Sequence, residues 1–95
     1  MSREDRPLPL DGITVLDLGQ IYQGPYAGFL LSMAGARVIK VEQTRGEPLR
    51  ARGDSISYAA LNSSKETITL DLKSDEGHEM LLGLVEGADL SLIHI

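Results

Sequence analysis

The feature that most constrains the fold is a short apolar run that ends in a glycine-rich turn. Residues 13–18, ITVLDL, are almost entirely apolar or β-branched and stand between Gly12 and Gly19. A run of this length and composition is typical of a strand that is buried on both faces of a parallel sheet. Pro25 suits the first turn of a helix, because a residue there needs no N–H partner, and Gly35 suits the position beyond its end. This part of the chain therefore predicts a strand, a turn and a helix.

Two further strand patterns follow. Residues 37–42, RVIKVE, predict a second buried strand, and residues 66–72, ETITLDL, alternate polar and apolar side chains as a half-buried strand does. The intervening residues 43–57 are polar and show neither the helix nor the strand period, which predicts a long loop. A short helical turn is predicted over residues 58–61. The two strands are thus expected to be joined mainly by irregular chain.

The C-terminal part of the sequence has the pattern of another helix and strand. Ser74 is a good N-cap, and Asp75 and Glu76 place negative charge in the first helical turn, where the helix dipole favours it. Gly87 is predicted to end the helix, and residues 88–90 to begin a strand. The order strand, helix, strand, loop, strand, helix, strand predicts an α/β fold, a Rossmann-like parallel sheet with crossover helices.

Composition excludes several classes of function. The chain has 95 residues, enough for at most one small domain, and its net charge of −5 argues against a nucleic-acid partner. It has no cysteine, which excludes disulfides, thiolate metal sites and a cysteine nucleophile, and no metal site is predicted. No apolar run approaches the roughly 20 residues of a membrane span, and the charged start of the chain lacks a signal-peptide pattern. A cytoplasmic protein with no membrane partner and a flexible segment at residues 1–8 is expected.

The turn after the first strand has the composition of a ligand cradle. In open α/β sheets, ligands collect at the carboxyl ends of the strands, where helix N-termini present free N–H groups. Gly19 and Gly24 allow the backbone to turn tightly and to approach a ligand closely. Gln20, Tyr22 and Gln23 supply hydrogen-bonding groups and one stacking surface.

Two nucleotide-binding motifs fail at this turn. Gly19 and Gly24 have the spacing of a P-loop, but Pro25-Tyr26 stands where a lysine and a hydroxyl residue are needed. The pattern GxGxxG is also absent. Asp17 and Glu42 lie at predicted strand ends, where we expect solvated or helix-capping acids rather than catalytic ones.

Recognisable family blocks cover nearly the whole chain. The string PLDGITVLDLGQIYQGPYAGFLLSMAGARVIKVE, at residues 9–42, resembles the opening of the class III CoA-transferases, the CaiB/BaiF family, whose superfamily includes formyl-CoA and carnitine CoA-transferases and α-methylacyl-CoA racemase. Residues 61–77, LNSSKETITLDLKSDEG, and residues 81–89, LLGLVEGAD, are similar to later blocks of the same family in the same order.

The resemblance implies the N-terminal, CoA-binding part of a longer enzyme that moves CoA from an acyl-CoA donor to a carboxylic acid acceptor. Members act as interlocked homodimers, use a CoA thioester as substrate and hold no permanent cofactor. Their nucleophile is an aspartate that forms an acyl anhydride and then an aspartyl-CoA thioester. In the family this aspartate lies well beyond residue 95, so residues 1–95 are expected to contain no catalytic residue and to be inactive alone.

The same resemblance implies a set of CoA contacts. Tyr22 and Gln23 fall on the first CoA-contacting turn, and Gln20 falls near the reacting end of the ligand. A second CoA-contacting segment comprises Leu70, Asp71, Leu72 and Lys73. An edge-strand acid is an equal alternative for Asp71, as is a solvated position beside Ser74 for Lys73.

One departure from the family concerns the phosphate contact. Members usually carry a basic residue directly after the acid that ends the second strand, whereas here Gln43 comes first and Arg45 follows two residues later. Gln43 and Arg45 are therefore included among the predicted CoA contacts. Arg50 and Arg52 are alternatives to Arg45, because a guanidinium matches phosphate geometry well.

Two alternative functions stay open. An acyl-CoA racemase of the same superfamily binds the same thioester but moves an α-proton with acid and base residues. A stand-alone CoA- or nucleotide-binding module performs no chemistry. The last six residues, LSLIHI, depart from the family and match the translation of a transposon end used to prepare sequencing libraries, so residues 90–95 are expected to be a tail foreign to the gene.

Overall fold

Four parallel strands form the framework of the protein. The structure, a computed structural model, describes residues 7–20, 23–46 and 55–93. The elements in chain order are β1 (Thr14–Leu18), α1 (Gln23–Met33), β2 (Arg37–Glu42), α2 (Ser55–Asn62), β3 (Glu66–Thr69), α3 (Asp75–Glu86) and β4 (Leu90–Ile93). The strands are ordered β3-β2-β1-β4, and every neighbouring pair is parallel. The predicted fold class, a Rossmann-like parallel sheet with crossover helices, is confirmed.

The strand order contains a switch point. The chain moves from β1 to β2 and on to β3 in one direction, and β4 then pairs with the other side of β1. Val15 in β1 lies opposite Val38 in β2 and Leu90 in β4, which fixes the register of the three strands. In a sheet of this kind, ligands bind outside the carboxyl ends of the strands where the connections diverge.

One face of β1 and β2 is divided into an apolar half and a charged half. Val15 and Val38 form the centre of the hydrophobic core, with Leu31 of α1 packed against them. Since side chains on one face recur every second residue, the next positions on the same face are Asp17 and Lys40. Both are fully buried and are paired in the strand register. The charged half lies toward the carboxyl ends of the strands.

Two helix boundaries confirm capping signals in the sequence. Ser74 caps α3, with its side-chain oxygen accepting a hydrogen bond of 3.0 Å from the Gly77 amide, and Gly87 follows the last helical residue. Gly35, two residues after the end of α1, has a φ of 106°, the left-handed conformation that glycine adopts most readily. Both capping signals are formed by residues close together in the chain, so they can be recognised from the sequence.

Two elements differ from the sequence-based prediction. α2 is an eight-residue helix where only a turn over residues 58–61 was predicted. It is held by tertiary contact, because the Tyr58 hydroxyl donates to the Glu42 carboxylate at 3.2 Å. β3 ends at Thr69 rather than at residue 72, because its partner β2 ends at Glu42; the Leu70 amide makes the last bond, 3.0 Å to the Glu42 carbonyl.

None of the helices in the described ranges is long and apolar enough to cross a membrane. Residues 90–93, predicted from the sequence to belong to a foreign tail, form β4 and pair with β1.

Candidate functional site

A cleft of about 220 Å³ opens at the carboxyl ends of the strands. Every strand contributes to it, either with its last residues or with the turn that follows. The lining residues are Leu18, Gly19, Gln20, Val41, Glu42, Gln43, Gly46, Leu72 and Ile93. Four of them are aliphatic and two carry amides, so the cleft offers apolar walls with a few hydrogen-bonding groups, as ligand sites generally do.

The first wall of the cleft depends on two glycines in close approach. A Cβ atom on Gly19 would lie 2.7 Å from the Cα of Gly24, and a Cβ on Gly24 would lie 2.7 Å from the Cα of Gly19. Side chains at these positions would force the backbone apart. The turn between β1 and α1 therefore closes on itself only because both residues are glycine, as the sequence suggested.

The structure brings together three of the residues predicted to contact a ligand. Gln20 follows β1, Gln43 follows β2 and Leu72 follows β3, and all three line the cleft. They come from three different connections of the sheet. Tyr22 lies outside the described residues, as do Arg50 and Arg52.

The other predicted contacts within the described residues are not among the lining residues of the cleft. Gln23 is the exposed first residue of α1, and Arg45 is exposed in the turn after β2. Leu70 is buried, with 7% of its surface exposed, whereas Asp71 and Lys73 are exposed.

Asp71 organises the turn that places Leu72 in the cleft. Its carboxylate accepts a hydrogen bond of 3.1 Å from the Lys73 amide, and its carbonyl accepts bonds from the amide and the hydroxyl of Ser74 at 3.1 and 2.8 Å. Ser74 in turn caps α3. The segment after β3 is therefore anchored by its own side chains to the start of the next helix.

The expectation that Asp17 and Glu42 are solvated is wrong. Asp17 has no exposed surface, and its carboxylate lies 2.6 Å from the ammonium of Lys65. Glu42 is 7% exposed and accepts a hydrogen bond from Tyr58. Helix α1 contacts α2, β1 and β2, and Tyr58 of α2 donates to Glu42, so these helices contribute to the burial of the two acids.

Sequence reasoning missed the two buried lysines. Lys40 has no exposed surface, and neither does the side chain of Lys65, which also donates to the side chain of Asn62 at 2.8 Å. A signal for Lys40 was present, because it interrupts the apolar run Val38-Ile39-Lys40-Val41 of a strand predicted to be buried. A buried lysine requires a partner, so its neighbours on the sheet were the place to look.

Among the residues that the structure describes, no group of three or more His, Asp or Glu side chains is placed to hold a metal ion. The polar groups that line the cleft are the side-chain amides of Gln20 and Gln43, the Glu42 carboxylate and backbone groups.

A Rossmann-like sheet with a cleft at the carboxyl ends of its strands defines the class of coenzyme- and nucleotide-binding α/β proteins. Within that class, residues 10–93 match the family model described as CoA-transferase family III. The chain belongs to this family.

Individual relatives agree with the family match. The chain is 38% identical over 99 residues to succinyl-CoA–D-citramalate CoA-transferase of Chloroflexus aurantiacus, covering 97% of this chain and 25% of that protein. It is 41% identical over 91 residues to succinyl-CoA:mesaconate CoA-transferase of Haloarcula hispanica, covering 85% of this chain and 23% of that protein. The crystal structure of a CaiB/BaiF family protein from Brucella suis superposes with a TM-score of 0.85 at 35% identity, covering 90% of this chain and 25% of that one.

The chain thus spans about a quarter of the length of the curated relatives it matches. The resemblance identified in the sequence is confirmed at the level of family and fold.

Proposed function

We propose that this chain forms one wall of the CoA-thioester site of an enzyme that transfers CoA from an acyl-CoA donor to a carboxylic acid acceptor. The observation that carries the proposal is the cleft where Gln20, Gln43 and Leu72 meet, in a chain that belongs to CoA-transferase family III. Its lining suits the pantetheine arm of CoA, because aliphatic side chains can pack against the methylene groups of the arm and side-chain amides can hydrogen-bond to its peptide-like bonds.

The size of the cleft supports a partial site. Sites for drug-sized ligands occupy roughly 300–1,000 Å³, whereas this cleft measures about 220 Å³. It therefore accommodates a segment of a CoA thioester and not the whole molecule. The remaining surface of the ligand would contact residues outside this cleft, and we assign the phosphate contact to Arg45 because it is exposed beside the lining residue Gly46.

Two acids of the strand ends, Asp17 and Glu42, are poorly placed to act as the acyl acceptor. An attacking carboxylate must reach the thioester carbonyl, expel CoA as its thiolate and retain the acyl group as an anhydride. Asp17 is fully buried and paired with Lys65, and the cleft-lining Glu42 is hydrogen-bonded to Tyr58. From these contacts and the resemblance to the family, we infer that the aspartyl nucleophile comes from outside residues 1–95 and that the isolated chain does not catalyse transfer. The resemblance to the family also leads us to propose that the active enzyme is a homodimer.

Titration of the ¹⁵N-labelled chain with CoA tests the binding part of the proposal. We expect saturable shifts of the Gln20, Gln43 and Leu72 amides, with pantetheine perturbing the same signals. Leu72→Trp fills the cleft and should weaken binding at least tenfold. The matched control is Leu82→Trp, since Leu82 is half exposed on α3 and is not a lining residue. A folded chain whose cleft signals do not respond to millimolar CoA would refute the assignment.

The catalytic part is tested separately. The chain is mixed with succinyl-CoA and a second carboxylic acid, and the new thioester is sought by mass spectrometry. We expect none. Transfer by the isolated chain would show that one of its own carboxylates is the nucleophile.

A further inference from the structure

Both backbone polar groups of Gly19, its amide and its carbonyl, are held by buried charged side chains. The Gly19 amide donates to the Asp17 carboxylate at 2.8 Å, and the Gly19 carbonyl accepts from the ammonium of Lys40 at 3.2 Å. Gly19 is itself a lining residue of the cleft. An aspartate that accepts from the amide two residues on is a common turn device. Here a fully buried lysine also holds the carbonyl of the same glycine, so both backbone groups are bound to buried charges.

Lys65 connects this arrangement to the neighbouring elements. Its ammonium donates to the second oxygen of Asp17 at 2.6 Å, to the Pro25 carbonyl at 2.8 Å and to Asn62 at 2.8 Å. Asp17 belongs to β1, Pro25 to the first turn of α1 and Asn62 to the end of α2. A single cation thus fixes the start and the end of the glycine turn relative to α2.

The space around this network is closed. A Cβ atom on Gly28 of α1 would lie 3.1 Å from Asp17 and 3.1 Å from both the Cε and Nζ atoms of Lys65. The helix approaches the ion pair so closely that no side chain fits between them. Movement of the charges would therefore displace α1, and movement of α1 would displace the glycine turn that it begins from.

Buried charges are a poor source of stability, because desolvation offsets most of their attraction, and apolar replacements of similar volume are often as stable. Lys40 is the sharpest case, since it is fully buried and its ammonium makes a single hydrogen bond, of 3.2 Å, among the described residues. Its position on the Gly19 carbonyl gives it a role that stability does not explain.

We propose that Asp17, Lys40 and Lys65 are positioning residues, which hold the Gly19 turn in the geometry that a CoA thioester requires of the cleft wall. None of the three needs to touch the ligand. The inference rests on the proposed function, since the cleft is taken to be the thioester site.

The decisive variant is Lys40→Met, which keeps an unbranched apolar side chain of nearly the same length and removes the donor to Gly19. We expect an unchanged or higher melting temperature together with about tenfold weaker CoA binding, the loss that one ordinary hydrogen bond produces. Amide hydrogen exchange at Gly19 should accelerate by a similar factor, because the turn opens more often. A merely structural role would lower the melting temperature and affinity together.

The second variant is the double substitution Asp17→Asn/Lys65→Met, which removes both charges at once. It should fold, bind CoA at least tenfold more weakly and show faster exchange at Gly19. The matched control is Arg37→Gln/Glu66→Gln, which removes an ion pair at the amino ends of β2 and β3, the ends away from the cleft. It should leave CoA affinity and Gly19 exchange unchanged.

The outcomes separate this inference from the proposed function. Unchanged affinity in both folded test variants would overturn the positioning role, and so would failure of both to fold, since the network would then be structural. If the parent chain does not bind CoA, the proposed function fails. Amide exchange at Gly19 then still tests whether the buried charges hold the turn, and unchanged exchange in both variants would overturn the positioning role.

Discussion

Arg37 and Glu66 form a bidentate ion pair at the amino ends of β2 and β3. The guanidinium donates to the two carboxylate oxygens at 2.8 and 3.0 Å, and the side chains are 61% and 59% exposed. The pair between Asp17 and Lys65 has the same charges but no exposed surface and lies toward the opposite end of the sheet. The two pairs therefore separate the effect of an ionic contact from the effect of its burial.

The exposed pair should contribute a small, pH-dependent stability. The hydrogen bond from Arg37 lowers the pKa of Glu66 from its ordinary value, against a weaker opposing effect of desolvation. A lowered pKa in the folded state means that the contribution is present above the unfolded pKa and is lost as pH falls through the folded one. Urea unfolding of Glu66→Gln and the parent should differ slightly at pH 7 and converge at acidic pH. A difference that grows on acidification would contradict this sign.

The buried pair should show a strong asymmetry between single and double substitution. Lys65→Met leaves the buried Asp17 carboxylate without its salt-bridge partner, and such changes cost about 3–5 kcal/mol. Asp17→Asn/Lys65→Met removes both charges and should recover most of that loss. Free energies of unfolding from urea titration measure both. Equal losses in the single and double variants would show that the hydrogen bonds of Lys65, and not the unpaired charge, account for the cost.

The sequence was sufficient for features that depend on local patterns. The strands at residues 13–18 and 37–42, the Ser74 cap and the glycine turn are each specified by neighbouring residues, and the structure contains them. The ion pair between Asp17 and Lys65 joins residues 48 positions apart, so no local pattern indicates it. Similarly, α2 depends on a contact between Tyr58 and Glu42 that exists only after the sheet has formed. The pairing of Asp17 with Lys65 and the full extent of α2 were missed for this reason.

The Ser74 cap should stabilise α3 measurably. Its hydroxyl oxygen accepts from the Gly77 amide at 3.0 Å and donates to the Asp71 carbonyl at 2.8 Å. Ser74→Ala removes both bonds and should cost about 0.5–2 kcal/mol. Ser63→Ala, at an exposed position after α2, is the control and should be nearly neutral. Chemical denaturation followed by circular dichroism compares them, and equal losses would show that the cap contributes nothing specific.

Alanine substitution should have opposite effects at two helical glycines. A Cβ at Gly24 would lie 2.7 Å from the Gly19 backbone, so Gly24→Ala should force the turn open and destabilise the protein. Gly83 in α3 has no atom within 4 Å of such a Cβ, and Gly83→Ala should stabilise by up to about 1 kcal/mol through helix propensity. Melting temperatures decide the matter. A stabilising Gly24→Ala would show that the turn is wider than the structure has it.

Two leucines of β4 should differ in their contribution to the core. Leu92 packs against the cluster around Val15, whereas Leu90 is 43% exposed. Leu92→Ala should cost about 1–2 kcal/mol, less than the roughly 2–5 kcal/mol of a fully buried leucine because Leu92 is only partly covered. Leu90→Ala should cost only a few tenths of the loss caused by Leu92→Ala. Urea unfolding of the two variants measures the difference, and a neutral Leu92→Ala would mean that β4 does not pack on β1 in solution.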